Sequence, residues 1–185
     1  MRADAQRNRA RLLEVADEVF AAKGTSASTE EVARAAGVGV GTLFRHFPTK
    51  EALLEAVLVT RLERVTADAD ELSQMDDAGE AFHTFFARMV GVSADKKPLT
   101  DALEAAGVDY DSATLETRRN LGRVLKVLLG RAQGSGAIRG DLRVPDLIAL
   151  LFGASKAVEH VGPDPAAQSR VIAVVLDGLR PNQPT

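Results

Sequence analysis

Residues 28–50, STEEVARAAGVGVGTLFRHFPTK, constrain this chain more than any other stretch. Ser28 followed three positions later by Glu31 is the pattern of a capping box, in which side chains at a helix start satisfy its unpaired backbone donors. Val32, Ala35 and Ala36 then give a short apolar face, and Gly37 stops the helix. After Gly37-Val38-Gly39, a second short segment places Leu43, Phe44 and Phe47 on one helical face and Thr42, Arg45 and His46 on the other. Pro48 ends this segment, and Thr49 can cap a third helix starting at Lys50-Glu51-Ala52. Two short helices across a tight glycine turn describe a helix-turn-helix, whose second helix enters the major groove of DNA. Helices below about 12–15 residues are marginal alone in water, so flanking helices must hold both of them.

A chain of 185 residues is one domain, or a small domain fused to a larger one, and is long enough to bury a good core. It has no Cys, which excludes disulfides and thiolate metal sites and fits a reducing, cytoplasmic setting. No apolar run approaches the ~18 residues of a membrane span, so no membrane partner is expected. The opening MRADAQRNRARLL carries charge where an export signal needs an apolar core. A net charge of −3 argues against a protein that coats nucleic acid indiscriminately. Residues 1–60 hold eight Lys/Arg and eight Asp/Glu, but their placement differs. Arg2, Arg7, Arg9 and Arg11 lie at the entrance to the first helix, and Arg45, His46 and Lys50 lie around the recognition segment. The acids concentrate at Glu14–Glu18 and Glu30–Glu31. A locally basic face on an acidic protein suits a regulator with a defined operator.

Taken in order, residues 1–7 form a polar lead-in, and the first helix runs from about Gln6 to Lys23 with Leu12, Leu13, Ala16, Val19 and Phe20 on one stripe. After the two short helices, a longer one carries Leu53, Leu54, Val57, Leu58, Leu62 and Val65 to about Ser73. At about 1.5 Å per residue it spans roughly 35 Å and connects the head to the rest. Asp76-Asp77 opens a helix with Phe82, Phe85, Phe86, Met89 and Val90 on its apolar side. Ser93–Lys97 reads as a loop, Leu99–Ala106 as a short helix ended by Gly107, and Ser112 to about Ala132 as a long amphipathic helix. That helix shows its stripe through Leu115, Leu121, Val124, Leu125, Leu128 and Leu129. Gly134-Ser135-Gly136 breaks the chain, Asp146–His160 and Ala166–Leu179 are the last two helices, and a polar tail follows. With no alternating β pattern, the expected fold is all-α. About nine helices divide into a three-helix helix-turn-helix head, a connector and a C-terminal helical bundle.

Gly37-Val38, Gly41-Thr42-Leu43-Phe44, His46-Phe47 and Lys50-Glu51-Ala52-Leu53 resemble the DNA-binding signature of the TetR family of bacterial regulators. The resemblance extends back through Arg11-Leu12-Leu13, Ala16, Phe20 and Gly24 and covers about the first third of the chain. It implies a DNA-binding domain over residues 1–50 and an effector-binding and dimerisation domain over 51–185. The residues expected at DNA are Thr29, Val40, Gly41, Thr42, Phe44, Arg45, His46 and Lys50. Arg45 can pair with guanine O6 and N7 or grip phosphate. Gly39 and Gly41 weaken the helix but let its backbone come close to the duplex. Lys50 resembles the family's phosphate-contacting lysine, and Thr29 matches a phosphate-contacting threonine. Where the family usually has Tyr this chain has Phe44, so a hydroxyl contact to phosphate is lost while the ring can still pack.

In the bundle, Phe82, Phe85, Phe86 and Met89, with Leu103, Tyr110, Leu125 and Phe152, can line an apolar pocket for a small-molecule effector; the alternative is an ordinary core stripe. His83, Glu159 and His160 are the polar candidates nearby, without metal-ligand spacing, and no metal or cofactor is expected. No nucleophile with an orienting partner and no paired acids are visible, so an enzyme is not expected. Gly153, Ala154 and Ala157 make a small-residue face, and Val171, Val174, Val175 and Leu179 an apolar stripe on the last helix. Two helices from each of two subunits would join there, as in the family, in a homodimer on double-stranded operator DNA. A single head contacts too few bases for useful specificity. The resemblance favours a repressor released by its effector. A transcriptional activator and a constitutive DNA-binding dimer without effector remain the alternatives.

Overall fold

The computed structural model describes the backbone of residues 2–93 and 97–181, and the side chains of 6–90 and 99–181. Among these residues the chain is all-α, with nine helices and no strand. They are α1 (Arg2–Lys23), α2 (Thr29–Ala35), α3 (Val40–His46), α4 (Lys50–Leu72) and α5 (Ala78–Ser93), then α6 (Lys97–Ala105), α7 (Tyr110–Gly134), α8 (Val144–Val161) and α9 (Pro165–Gly178). Helix α1 starts four residues before the expected Gln6. The run Ala3-Asp4-Ala5-Gln6 contains no Gly, Pro or β-branched residue to oppose helix. The loop expected at Ser93–Lys97 falls on 94–96, outside the described residues, as does most of the expected polar tail. Helix starts follow local chemistry. Thr49 Oγ1 accepts from the Ala52 N–H at 3.1 Å, Asp77 Oδ1 from Glu80 at 2.9 Å, and Asp164 Oδ1 from Ala166 at 2.9 Å.

The chain packs as two compact units, Met1–Leu62 with Asp95–Leu115, and Glu63–Ala94 with Glu116–Thr185. In the first unit Leu12, Leu13, Ala16, Phe20, Val32, Leu43, Phe47, Leu53 and Val57 are buried, so the short helices α2 and α3 gain the packing that their length denies them. The same unit contains an ion pair that the periodicity did not reveal. Arg61 lies in the middle of the apolar stripe of α4, is only 8% exposed, and its Nε donates to Asp17 Oδ1 of α1 at 2.5 Å. A charge centred on an apolar stripe is a readable signal that some partner must be near, but not which one.

The second unit is built on α5, α8 and α9 with the later parts of α4 and α7. Phe82, Phe85, Phe86, Met89 and Val90 pack with Leu125, Leu128, Leu147 and Leu151. Ser155 Oγ lies 2.8 Å from the Leu151 carbonyl and 3.0 Å from that of Val90, so its proton serves α8 and α5. The Arg131 guanidinium donates to the carbonyls of Ser73 and Met75, which would otherwise end α4 unpaired. Leu115, expected on the buried stripe of α7, is exposed. Thr114 is buried in its place and can be, because its hydroxyl donates to the Tyr110 carbonyl at 2.7 Å.

Candidate nucleic-acid interface

The geometry begins at the α2 start. Ser28 Oγ accepts from the Glu31 N–H at 3.2 Å, and a Glu31 carboxylate oxygen accepts from the Ser28 N–H at 2.9 Å, completing the capping box. Lys23 Nζ sits 2.7 Å from the same carboxylate. Lys23 first, and then the Ser28 amide, hold the Glu31 carboxyl below the usual range. Because that pKa is depressed in the fold, the contribution is present at neutral pH and is lost as pH falls through the acid range. At the other end of α2, the Gly37 N–H donates to Arg34 at 3.1 Å and the Val38 N–H to Ala33 at 3.0 Å. This double closure needs a left-handed residue between the two donors, and Gly37 supplies it at φ +68°. The turn sets α3 against α2 and fixes which side of α3 faces outward.

On α3, Leu43 and Phe47 are the residues turned inward. At about 100° per residue, Phe44, Gly41, Arg45, Thr42 and His46 follow one another across the opposite side. Phe44 corrects the expectation that it shares the inner face. It is 38% exposed, because its position lies about 100° round the helix from Leu43. Val40 and Lys50 are half-buried. Arg45 and Lys50 have no ion-pair partner among the described residues. Arg9 from α1 places its guanidinium 5.1 Å from the centre of the Phe47 ring, a contact worth about 0.5–1 kcal/mol that keeps a positive charge beside the end of α3. Thr29 is buried, with its hydroxyl 3.4 Å from Glu30, and is the least accessible of the residues expected at DNA.

The residues expected to line an effector pocket divide between the two units. Phe82, Phe85, Phe86, Met89 and Leu125 share the core of the second unit, with the Phe82 and Phe86 rings 6.3 Å apart and inclined at 28°. Leu103 and Tyr110 belong to the first unit, where Leu103 is buried and the Tyr110 hydroxyl donates to Glu104 at 2.7 Å. Phe152 faces outward from α8, 56% exposed, one turn from the exposed Ile148. His83, on α5, has a buried Nε2 with no hydrogen-bond partner among the described residues. Among the described residues no three His, Cys, Asp or Glu gather as metal ligands, and no helix is long and apolar enough to cross a membrane. Of the residues expected between subunits, Gly153, Ala157 and Val174 are exposed, and Val171 and Val175 are half-buried. Ala154 is consumed by the protomer's own core.

A capped short helix, a glycine turn and a second helix that turns Arg45 outward form a helix-turn-helix, the motif of DNA-binding regulators. Comparison with known proteins agrees. Residues 12–57 match the family described as bacterial regulatory proteins, tetR family, and residues 77–181 match the SbtR-like transcriptional regulator C-terminal domain. This chain belongs to the TetR family of transcriptional regulators. Its structure resembles the crystal structure of a TetR regulator from Mycobacterium vanbaalenii, at 41% identity and a TM-score of 0.78, over 97% of this chain and 98% of that one. Among curated relatives it is 38% identical to the HTH-type transcriptional regulator UidR of Escherichia coli over 68 residues, 36% of this chain and only 35% of UidR. It is 29% identical over 136 residues to the HTH-type transcriptional repressor KstR of Mycolicibacterium smegmatis, 72% of this chain and 67% of the relative.

Proposed function

We propose that the chain is a homodimeric cytoplasmic repressor that occupies a pseudo-palindromic operator and leaves it when a small apolar effector binds. Residues 1–50 act at DNA, and 51–185 hold the effector and the second subunit. The observation that carries the DNA side is Gly41. It sits inside α3, and a methyl group built there meets no atom within 4 Å. Neither backbone conformation nor packing asks for glycine at this position, yet glycine costs a helix about 1 kcal/mol relative to alanine. Open space alone does not single it out, since Gly122 and Gly130 of α7 have it too; its place on α3 between Arg45 and Phe44 is what supports an approach by the duplex. The Gly41→Ala variant is therefore expected to gain about 0.5–1 kcal/mol of folding stability and to lose at least tenfold in operator affinity. Denaturant melts and fluorescence anisotropy on the DNA upstream of its own gene measure the two; a variant that binds as tightly as wild type would remove this surface.

Arg45→Ala and Lys50→Ala are each expected to weaken operator binding by roughly 1–3 kcal/mol with unchanged helix content. The Lys50 variant should also lower the salt dependence by about one counterion. On the effector side, Phe82, Phe85, Phe86, Met89 and Leu125 offer apolar contact, and the unpartnered His83 Nε2 offers one hydrogen bond. Release of the bound DNA by metabolite extract tests this half of the reading. A second reading, a constitutive DNA-binding dimer, draws support from the close packing of the same phenylalanines.

A further inference from the structure

Of the seven phenylalanines, five are at most 4% exposed, while Phe44 and Phe152 face solvent. Phe152 shares its outward face of α8 with Ile148. Phe44 instead stands on the outer side of α3, beside Gly41 and Arg45, where the other exposed groups are polar or lack a side chain. An apolar ring held in water on a face destined for a polar partner gains only if that partner offers an apolar group at the same place. The major-groove edges of the four base pairs are hydrogen-bond donors and acceptors with one exception, the C5 methyl of thymine. Phe44 has no hydroxyl with which to reach phosphate. With nothing beyond a hydrogen at Gly41, α3 can settle deep enough for a ring at the rim of its outer face to reach a base edge.

We propose that Phe44 determines operator sequence by packing its ring against a thymine methyl, so that each half-site carries a thymine which this side chain reads. The inference rests on the reading of α3 as the recognition helix. Burying a methyl-sized group is worth about fourfold in affinity, and the full face of a ring more. The rivals on the same helix are the methyl of Thr42 and the side chain of Val40.

The test uses the full chain and an operator selected by it from a library of randomised duplex DNA. Each thymine of the selected sequence is then replaced by deoxyuridine, which removes the methyl and nothing else. Wild type is expected to lose about three- to tenfold at one thymine per half-site. Phe44→Ala should bind more weakly but equally to both DNAs, and Phe44→Leu should keep part of the difference. Thr42→Ser and Val40→Ala should retain all of it. If Phe44→Ala binds too weakly to compare, Phe44→Leu decides, since a difference as large as in wild type would clear Phe44 of the role. Indifference of wild type to every methyl, or loss of the difference in Thr42→Ser or Val40→Ala instead, overturns the inference and leaves the DNA-binding reading intact. Failure to select any sequence would overturn both.

Discussion

Truncating Phe86 to alanine is expected to cost about 3–5 kcal/mol of folding stability. Its ring is fully buried, stacks on Phe82 and belongs to the cluster that α5, α7 and α8 close. Removing it leaves a void that close-packed neighbours fill only in part. Urea or guanidinium melts beside wild type give the value. A loss well below 3 kcal/mol would mean that empty space already borders the ring, which strengthens the effector reading. The full loss moves weight toward the constitutive dimer, unless metabolite extract still releases the DNA.

The other large effect is on assembly. If the proposed dimer forms through α8 and α9, Ala157→Arg is expected to convert it to monomer and, through that, to abolish high-affinity operator binding. Ala157 is exposed on α8, on the outward side that also carries Phe152 and Gly153. An arginine there would be buried by the partner with no counter-charge, a cost of about 3–5 kcal/mol when uncompensated. Because the site is solvated in the single protomer, the substitution should leave the melting of the monomer nearly unchanged. Sedimentation velocity reads the outcome, and a variant that stays dimeric would place the interface elsewhere.

The local chemistry of the head was legible without coordinates. Ser28 and Glu31 form the capping box that their spacing announces, Gly37 takes the left-handed turn, and Thr49 caps α4. These features depend on neighbours within four residues, so the one-dimensional order contains all the partners involved. The apolar stripe of α4 was equally readable, since every residue assigned to it is buried. A partner far along the chain is not visible in residue order. Arg61 finds Asp17 at a separation of 44 residues, and Arg9 finds the ring of Phe47.

Faces near the edge of a stripe were the other limit. Phe44, Leu115 and Phe152 are apolar by type and were assigned inward, yet all three are exposed. Hydropathy states what a side chain would prefer, while the way its helix is turned decides what it gets, and that is set by contacts with other helices. Residue order was enough to place the helices, the capping box of α2 and the kind of DNA-reading motif that α2 and α3 build. The packing of the folded chain is what spends Ala154 on the protomer's own core and leaves Phe44 outside with the glycine and the arginine, because burial is a property of neighbours in space.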